Sequence, residues 1–206
     1  MIQLVVTKCP SDTHALANVV YVHPSDTGPR TLHLRINRDY YYACKPDPAI
    51  PAGHLGAPTV MRGYMGLALG ERVPVGPFDP LAVTSGCYID TVVVGVGVMR
   101  RVRQGESFSF DAAKMADLFR QHFHDQILSV GQPIVMDSAG VMFRLSIHDL
   151  RCVDLQALSN ERTTSGTTGD KTDGWGVLMA QSGVLFTTTS ESDDAHAITI
   201  TNQDTN

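Results

Sequence analysis

Three guanidiniums stand almost side by side at Arg100-Arg101-Val102-Arg103, directly after the most apolar run of the chain, Tyr88 to Met99. Arginine forks pair bidentately with carboxylates, so such a cluster suits an acidic peptide if other cations converge on it. Lys8 and Arg62, in turn-like positions of the first half, are the residues that could do so. On composition alone a solvated basic loop is the simpler account of the cluster. Only the fold can bring these residues together.

Other chemistries find less support. Gly95-Val96-Gly97 follows a strand-like run, but Arg100 stands where a dinucleotide fingerprint needs its third glycine. No GxxxxGK[ST] stretch exists, so the chain carries no phosphate-cradling loop of the Walker type. His122 and His124 are two apart in a helical segment and fall on nearly opposite faces, which prevents them from chelating one metal as an i, i+4 pair could. That spacing predicts a partly buried His122 and a solvated His124. Cys9, Cys44, Cys87 and Cys152 form no Cys-x-x-Cys pair, and read as buried free thiols in a reducing compartment. No serine lies in a GxSxG setting, and no catalytic constellation or metal ligand set is evident.

The element that must position these residues is clearest at Phe110 to Gln132. Asp111 can cap a helix, and Met115, Leu118, Phe119, Phe123 and Ile127 recur on one face at three- and four-residue spacing. Ser129-Val130-Gly131-Gln132 supplies the exit. Such a helix needs a sheet to cover its apolar stripe. Sheet is on offer on both sides of it. Met1–Val6, Val19–Val22, Thr31–Ile36 and Tyr40–Ala43 read as short strands, with Lys8–Asp12 as a turn. Four prolines and two glycines make Lys45–Pro58 an extended loop, Thr59–Met61 reads as a brief strand, and Gly66–Glu71 turns into a strand from Arg72. Short strands punctuated by proline and glycine predict a small barrel over residues 1–77. Residues 78–87 then form a linker. Beyond it, Tyr88–Met99, Pro133–Met136, Val141–Ile147, Arg151–Leu158, Gly176–Met179, Val184–Thr188 and Ala197–Thr201 read as strands around the helix, an α+β half over 88–202. Asn160–Gly174 has almost nothing to bury.

The 206 residues, 43% hydrophobic and 18% charged, are ordinary for a globular chain. The net charge of -5 argues against nonspecific binding to nucleic acid or an acidic membrane surface. It is uneven, +2 up to Phe110 and -7 after it. No secretory signal and no apolar run near 18 residues appear, so the chain reads as cytosolic.

Several blocks together are similar to the amino-terminal domain of the N-ethylmaleimide-sensitive factor family, the ATPases that disassemble SNARE complexes after vesicle fusion. They are Lys8-Cys9-Pro10-Ser11-Asp12, Gly66-Leu67-Ala68-Leu69-Gly70 behind Arg62, Lys114-Met115-Ala116, Phe119, Phe123, Gln126, Ser129–Gln132, Phe143–Asp149, Gly176-Val177-Leu178 and Ser182–Phe186. The resemblance implies a double-psi β-barrel followed by an α/β roll, with a basic groove between them that receives the acidic carboxy-terminal region of the adaptor SNAP. It places the family's cationic positions on Lys8, on Arg62, and on or near Arg101 and Arg103, with Arg100 beside them. Gly63 stands where a second basic residue is expected, and Val102 interrupts the cluster. It also implies a fragment that is itself noncatalytic and needs no cofactor, monomeric alone, with ATP and Mg²⁺ bound by absent ATPase domains of a homohexamer. Residues 203–206 would begin the linker to those domains. The implied location is cytoplasmic, with peripheral recruitment to membranes through SNAP and SNAREs, without membrane insertion or nucleic acid. The alternative within the same architecture is the amino-terminal domain of a related ATPase that unfolds ubiquitinated clients. A small enzyme using a barrel cleft is a third reading.

Overall fold

Short valine-rich strands cannot bury both faces as an open sheet, and here they close on themselves. The computed structural model describes residues 1–28, 31–80, 82, 87–99, 107–138, 140–154, 174–188 and 198–201. The first six strands, β1 (Ile2–Thr7), β2 (Val20–Val22), β3 (His33–Ile36), β4 (Tyr40–Pro46), β5 (His54–Gly56) and β6 (Arg72–Phe78), form a closed barrel in the order β1-β5-β2-β4-β3-β6. Two of its pairings, β1 with β5 and β2 with β4, are parallel and the others antiparallel. These interleaved parallel pairs are the double-psi barrel that the family resemblance implied. Leu4, Val6, Val20, Val22, Leu34, Ile36, Leu55, Val73 and Val75 fill its interior.

Two short helices interrupt the barrel where the sequence reads otherwise. Between β1 and β2 the expected turn contains a helix, α1 (Asp12–Ala15), capped by Ser11. The brief strand expected over Thr59–Met61 is a helix, α2 (Thr59–Met65). Met61 and Met65, four apart, both reach the barrel core, a helical rather than a strand spacing. Pro58 leads into α2, and Gly66 closes it at φ 68°, with Leu67 N–H donating to the Arg62 carbonyl at 2.9 Å. The extended loop expected over Lys45–Pro58 is shorter, because β4 runs to Pro46 and β5 occupies His54–Gly56.

The second half is a five-stranded sheet of β7 (Cys87–Val98), β9 (Ile127–Ser129), β10 (Pro133–Ser138), β11 (Val141–Asp154) and β12 (Trp175–Thr188), in the order β10-β11-β7-β12-β9. A two-stranded ladder pairs β8 (Phe108–Asp111) with β13 (Ile198–Thr201). The central β7 pairs antiparallel with β11 and parallel with β12. Its Val92, Val94 and Val96, all on one face, share a core with Met115, Phe119 and Phe123 of the third helix, α3 (Ala112–Phe123). Burying an aromatic side chain as fully as Phe119 contributes about 1.5–3 kcal/mol by transfer from water.

Asp111 caps α3 as its position predicts, its Oδ1 accepting from Ala113 N–H at 2.9 Å and Lys114 N–H at 3.1 Å. The far end departs from the reading that kept Ile127 on the helical face and placed the exit at Ser129–Gln132. His124 N–H makes the last helical bond, to the Arg120 carbonyl, and Asp125 turns out at φ 60°. Its N–H donates to the Leu178 carbonyl at 3.0 Å, and Leu178 N–H donates to the Gln126 carbonyl at 3.0 Å. Strand β12 thus takes up the backbone that a longer helix would have used for itself. Ile127, counted on the helical face, lies on β9 and is fully buried. The expected sheet extension holds as far as Asp154; the remainder of that reading, the 160–173 stretch, half of the 78–87 linker and the 203–206 tail lie outside the described residues.

Candidate functional site

At the end of β1 the chain leaves the barrel beside the β5–α2 junction, where Ala57 N–H donates to the Thr7 carbonyl at 3.2 Å. Lys8 follows, exposed, and then Cys9. Arg62 on α2 is held by its own turn: Nε donates to the Ala57 carbonyl at 3.3 Å and a terminal nitrogen to Thr59 Oγ1 at 3.1 Å. Burial pushes the Cys9 thiol up to about 11, while the positive charge of Arg62 pulls it the other way. Arg62 is therefore within electrostatic reach of the residue next to Lys8. Arg100, Arg101 and Arg103 lie outside the described residues.

The two halves meet in a buried polar seam. Asn18, 5% exposed and at φ 47°, donates from Nδ2 to Gln126 Oε1 at 2.9 Å and accepts from Gln132 Nε2 at 3.1 Å. Gln126 Nε2 donates onward to the His122 carbonyl, and Gln132 Oε1 accepts from Ser129 N–H. Tyr64 of α2 donates to the Val130 carbonyl at 3.1 Å. His33 of β3, buried, lies with Nε2 3.0 Å from the Asp125 carbonyl, so that nitrogen carries the donated hydrogen. An aromatic cluster completes the contact, Tyr41 with Phe78 at 4.4 Å and Trp175 5.4 Å from both.

Beside this seam opens a cleft of about 730 Å³ between the barrel and the end of α3. Its polar wall is His33, Lys45, His122, His124, Asp125 and Gln126, over a floor that includes Val19, Leu32, Ala43 and Cys44. Neither Lys8 nor Arg62 lines it. His122, read from spacing as partly buried, is exposed here, on the side of the last turn of α3 away from the buried Phe123. His33 and Lys45 escaped the sequence reading altogether. They carry no motif and are far in sequence from α3, and only the barrel's closure sets them opposite it.

Ser11, His14 and Asp47 form a hydrogen-bonded chain, Ser11 Oγ to His14 Nδ1 and His14 Nε2 to Asp47 Oδ2 at 3.1 Å. The serine oxygen is already the N-cap of α1, accepting from His14 N–H, so the chain works as a clasp between α1 and the loop after β4. Among the described residues no group of three His, Cys, Asp or Glu side chains is placed to hold a metal ion. No helix among them is long and apolar enough to cross a membrane.

A family model described as "Cell division protein 48 (CDC48), domain 2" matches residues 109–174. The vesicular-fusion protein sec18 of Schizosaccharomyces pombe is 29% identical over 88% of this chain and 22% of its own length. The vesicular-fusion protein SEC18 of Saccharomyces cerevisiae is 29% identical over 89% of the chain and 24% of its own. A vesicle-fusing ATPase of Caenorhabditis elegans is 33% identical over 35% of the chain and 10% of its own length. The chain thus spans less than a quarter of the length of these relatives.

Proposed function

We propose, from the premise that this chain belongs with the amino-terminal domains of the vesicle-fusing AAA+ ATPases, that it is their adaptor-binding head. It is itself noncatalytic and holds the acidic carboxy-terminal region of SNAP while a hexameric ring elsewhere in the polypeptide hydrolyses ATP. The nucleotide and Mg²⁺ belong to that ring. The head divides into a barrel over 1–77 and an α/β roll over 88–202 and stays cytoplasmic, reaching membranes only through SNAP and SNAREs. The observation that supports this reading is the electrostatic reach of Arg62 to Cys9, the residue that follows Lys8 at the end of β1. Arg100, Arg101 and Arg103 complete the cationic surface in this proposal.

Exposed ion pairs steer encounter and are screened by salt, with a Debye length of about 30 Å at 0.01 M and about 8 Å at 0.15 M. Titrating the chain with the SNAP carboxy-terminal region at those two ionic strengths should show binding that weakens sharply with salt. Arg62→Glu combined with Arg101→Glu should leave the far-ultraviolet circular dichroism unchanged and weaken binding by at least about tenfold. Undiminished binding by a folded double variant at low salt would remove the surface from the reading. The match of residues 109–174 to the CDC48 family model favours a second reading, a cofactor-binding head of a ubiquitin-pathway unfoldase. Capture of ubiquitin-pathway cofactors in place of SNAP in the same titration would select it.

A further inference from the structure

A closed barrel still has two ends to cover, and at the end where β1 begins its interior is open to solvent. A pit of about 100 Å³ lies there, floored by Leu4, Val22, Leu34 and Val75 of the barrel core. An apolar cavity of about 150 Å³ holds benzene, so this smaller one has room for a branched four-carbon side chain and not for an aromatic ring. Met1 and Ile2, 79% and 46% exposed, also line it, apolar groups turned to solvent where an occupant would cover them. The pit is remote from the cations of the adaptor reading. Strand β1 carries the chain from Ile2 at the pit to Lys8 just past its far end, about 20 Å at about 3.3 Å per residue.

Among the described residues one charged side chain lines the pit, Asp26. It is fixed through one oxygen and accessible through the other: Oδ2 accepts from Gly53 N–H at 2.7 Å, whereas Oδ1 has only the neighbouring Ser25 hydroxyl, at 3.5 Å. A carboxylate accepts at about four positions, so Oδ1 can take an ammonium while Oδ2 keeps its bond. An aliphatic pit with a carboxylate on its wall selects a ligand whose apolar group and cation diverge from one atom. Lysine and arginine carry their charge at the far end of an aliphatic stem and would have to bury it to fill the pit. A residue at a free amino terminus does not, because its side chain and its α-ammonium leave the same Cα. One can enter the pit while the other stays at the rim on Asp26.

We propose that the pit recognises a free polypeptide amino terminus that begins with leucine, isoleucine or valine, the aliphatic side chain seated between Leu4, Val22, Leu34 and Val75 and the α-ammonium paired with Asp26. Burial of the side chain supplies most of the affinity, and the carboxylate supplies the preference for an unblocked terminus. Adaptor and amino terminus then bind independently, at opposite ends of β1.

The test titrates the whole chain with three tripeptide amides, Leu-Gly-Gly, its amino-acetylated form and Gly-Gly-Gly, followed by methyl nuclear magnetic resonance. The leucine peptide should bind saturably in the millimolar range, with shifts on Ile2, Val22, Leu34 and Val75 and none on Met61 and Met65 beneath α2. The glycine peptide should bind at least about tenfold more weakly, and acetylation should cost the leucine peptide about threefold. Asp26→Asn keeps an oxygen for Gly53 N–H and loses the charge, so it should bind free and acetylated peptides alike. Gly28→Leu sets a side chain at the pit, where a Cβ meets only Thr31 Oγ1 at an ordinary 3.6 Å, and should abolish binding in a chain with unchanged circular dichroism. Arg62→Glu should leave peptide binding intact whether or not it alters the hold on SNAP, which keeps the two readings apart. No saturable binding of the leucine peptide, equal binding of its acetylated form to the parent chain, undiminished binding by folded Gly28→Leu, or shifts confined to α2 would each overturn the proposal.

Discussion

Replacing Asn18 with glycine should loosen the two halves from one another more than its single side chain suggests. Gln126 and Gln132, 9% and 1% exposed, would each lose a partner, leaving one carbonyl oxygen and one amide hydrogen without compensation. Each buried orphan costs about 1–3 kcal/mol, so Asn18→Gly should destabilise the fold by about 2–6 kcal/mol. Glycine is the informative choice because Asn18 sits at φ 47°, where it adds no backbone strain of its own. Asn18→Ala at the same position should cost about 1–2 kcal/mol more, since alanine must enter the left-handed region. The assay is urea unfolding followed by fluorescence of Trp175, the chain's single tryptophan, which stacks against Tyr41 and Phe78 from the other half. For a chain of this size the loss corresponds to a melting temperature lower by about 5–15 °C. Tryptophan should report its transition at lower urea than far-ultraviolet circular dichroism in the variant but not in the parent. Adding Gln126→Met to Asn18→Gly should recover part of the loss, because it removes one of the orphaned groups. A change below about 0.5 kcal/mol, or strictly additive variants, would show that water replaces Asn18 at no cost and that the seam is not held as described.

The Cys9 thiol, raised to about 11 by burial, should resist iodoacetamide at pH 7.5 in the folded chain and react once the chain is unfolded. Arg62→Ala removes the charge that favours the thiolate, so it should slow native alkylation at pH 9 further. Because the folded thiol ionises above its ordinary value of 9.0, stability present below pH 9 should fall as pH rises towards about 11, and Cys9→Ser should flatten that decline, measured by urea midpoints. His14→Ala cuts the clasp to Asp47, a contact one-third exposed on the histidine side, and should cost about 0.5–1 kcal/mol in the same unfolding assay; an unchanged midpoint would count against the clasp.

Much of this architecture can be read locally. Asp111 announces the start of α3, Met115, Phe119 and Phe123 mark its buried face, and the valine run of β7 could only be a central strand. Those signals survive because a cap and a periodic stripe are satisfied by residues a few positions away. Where the helix ends was not local. Ile127 continues the helical spacing, yet Asp125 and Gln126 bond to Leu178, and that competitor is invisible until β12 is folded beside them. The same holds for α2, where only the barrel interior distinguishes a helix that buries Met61 and Met65 from a strand that would bury alternate residues.

What the residues alone determined is the alternation of short barrel strands, a long amphipathic helix, the absence of a phosphate loop of the Walker type, and the blocks in which the chain is similar to vesicle-fusing ATPases. Tertiary structure decided which cations meet. Cys9, beside Lys8, comes within electrostatic reach of Arg62 because β1 pairs with β5, and His33 and Lys45 line one cleft with His122 and His124 because the barrel docks through Asn18 just past the end of α3. Neither juxtaposition has a sequence period, since each depends on contacts whose separation along the chain is set by closure of the barrel and not by the spacing of the residues themselves.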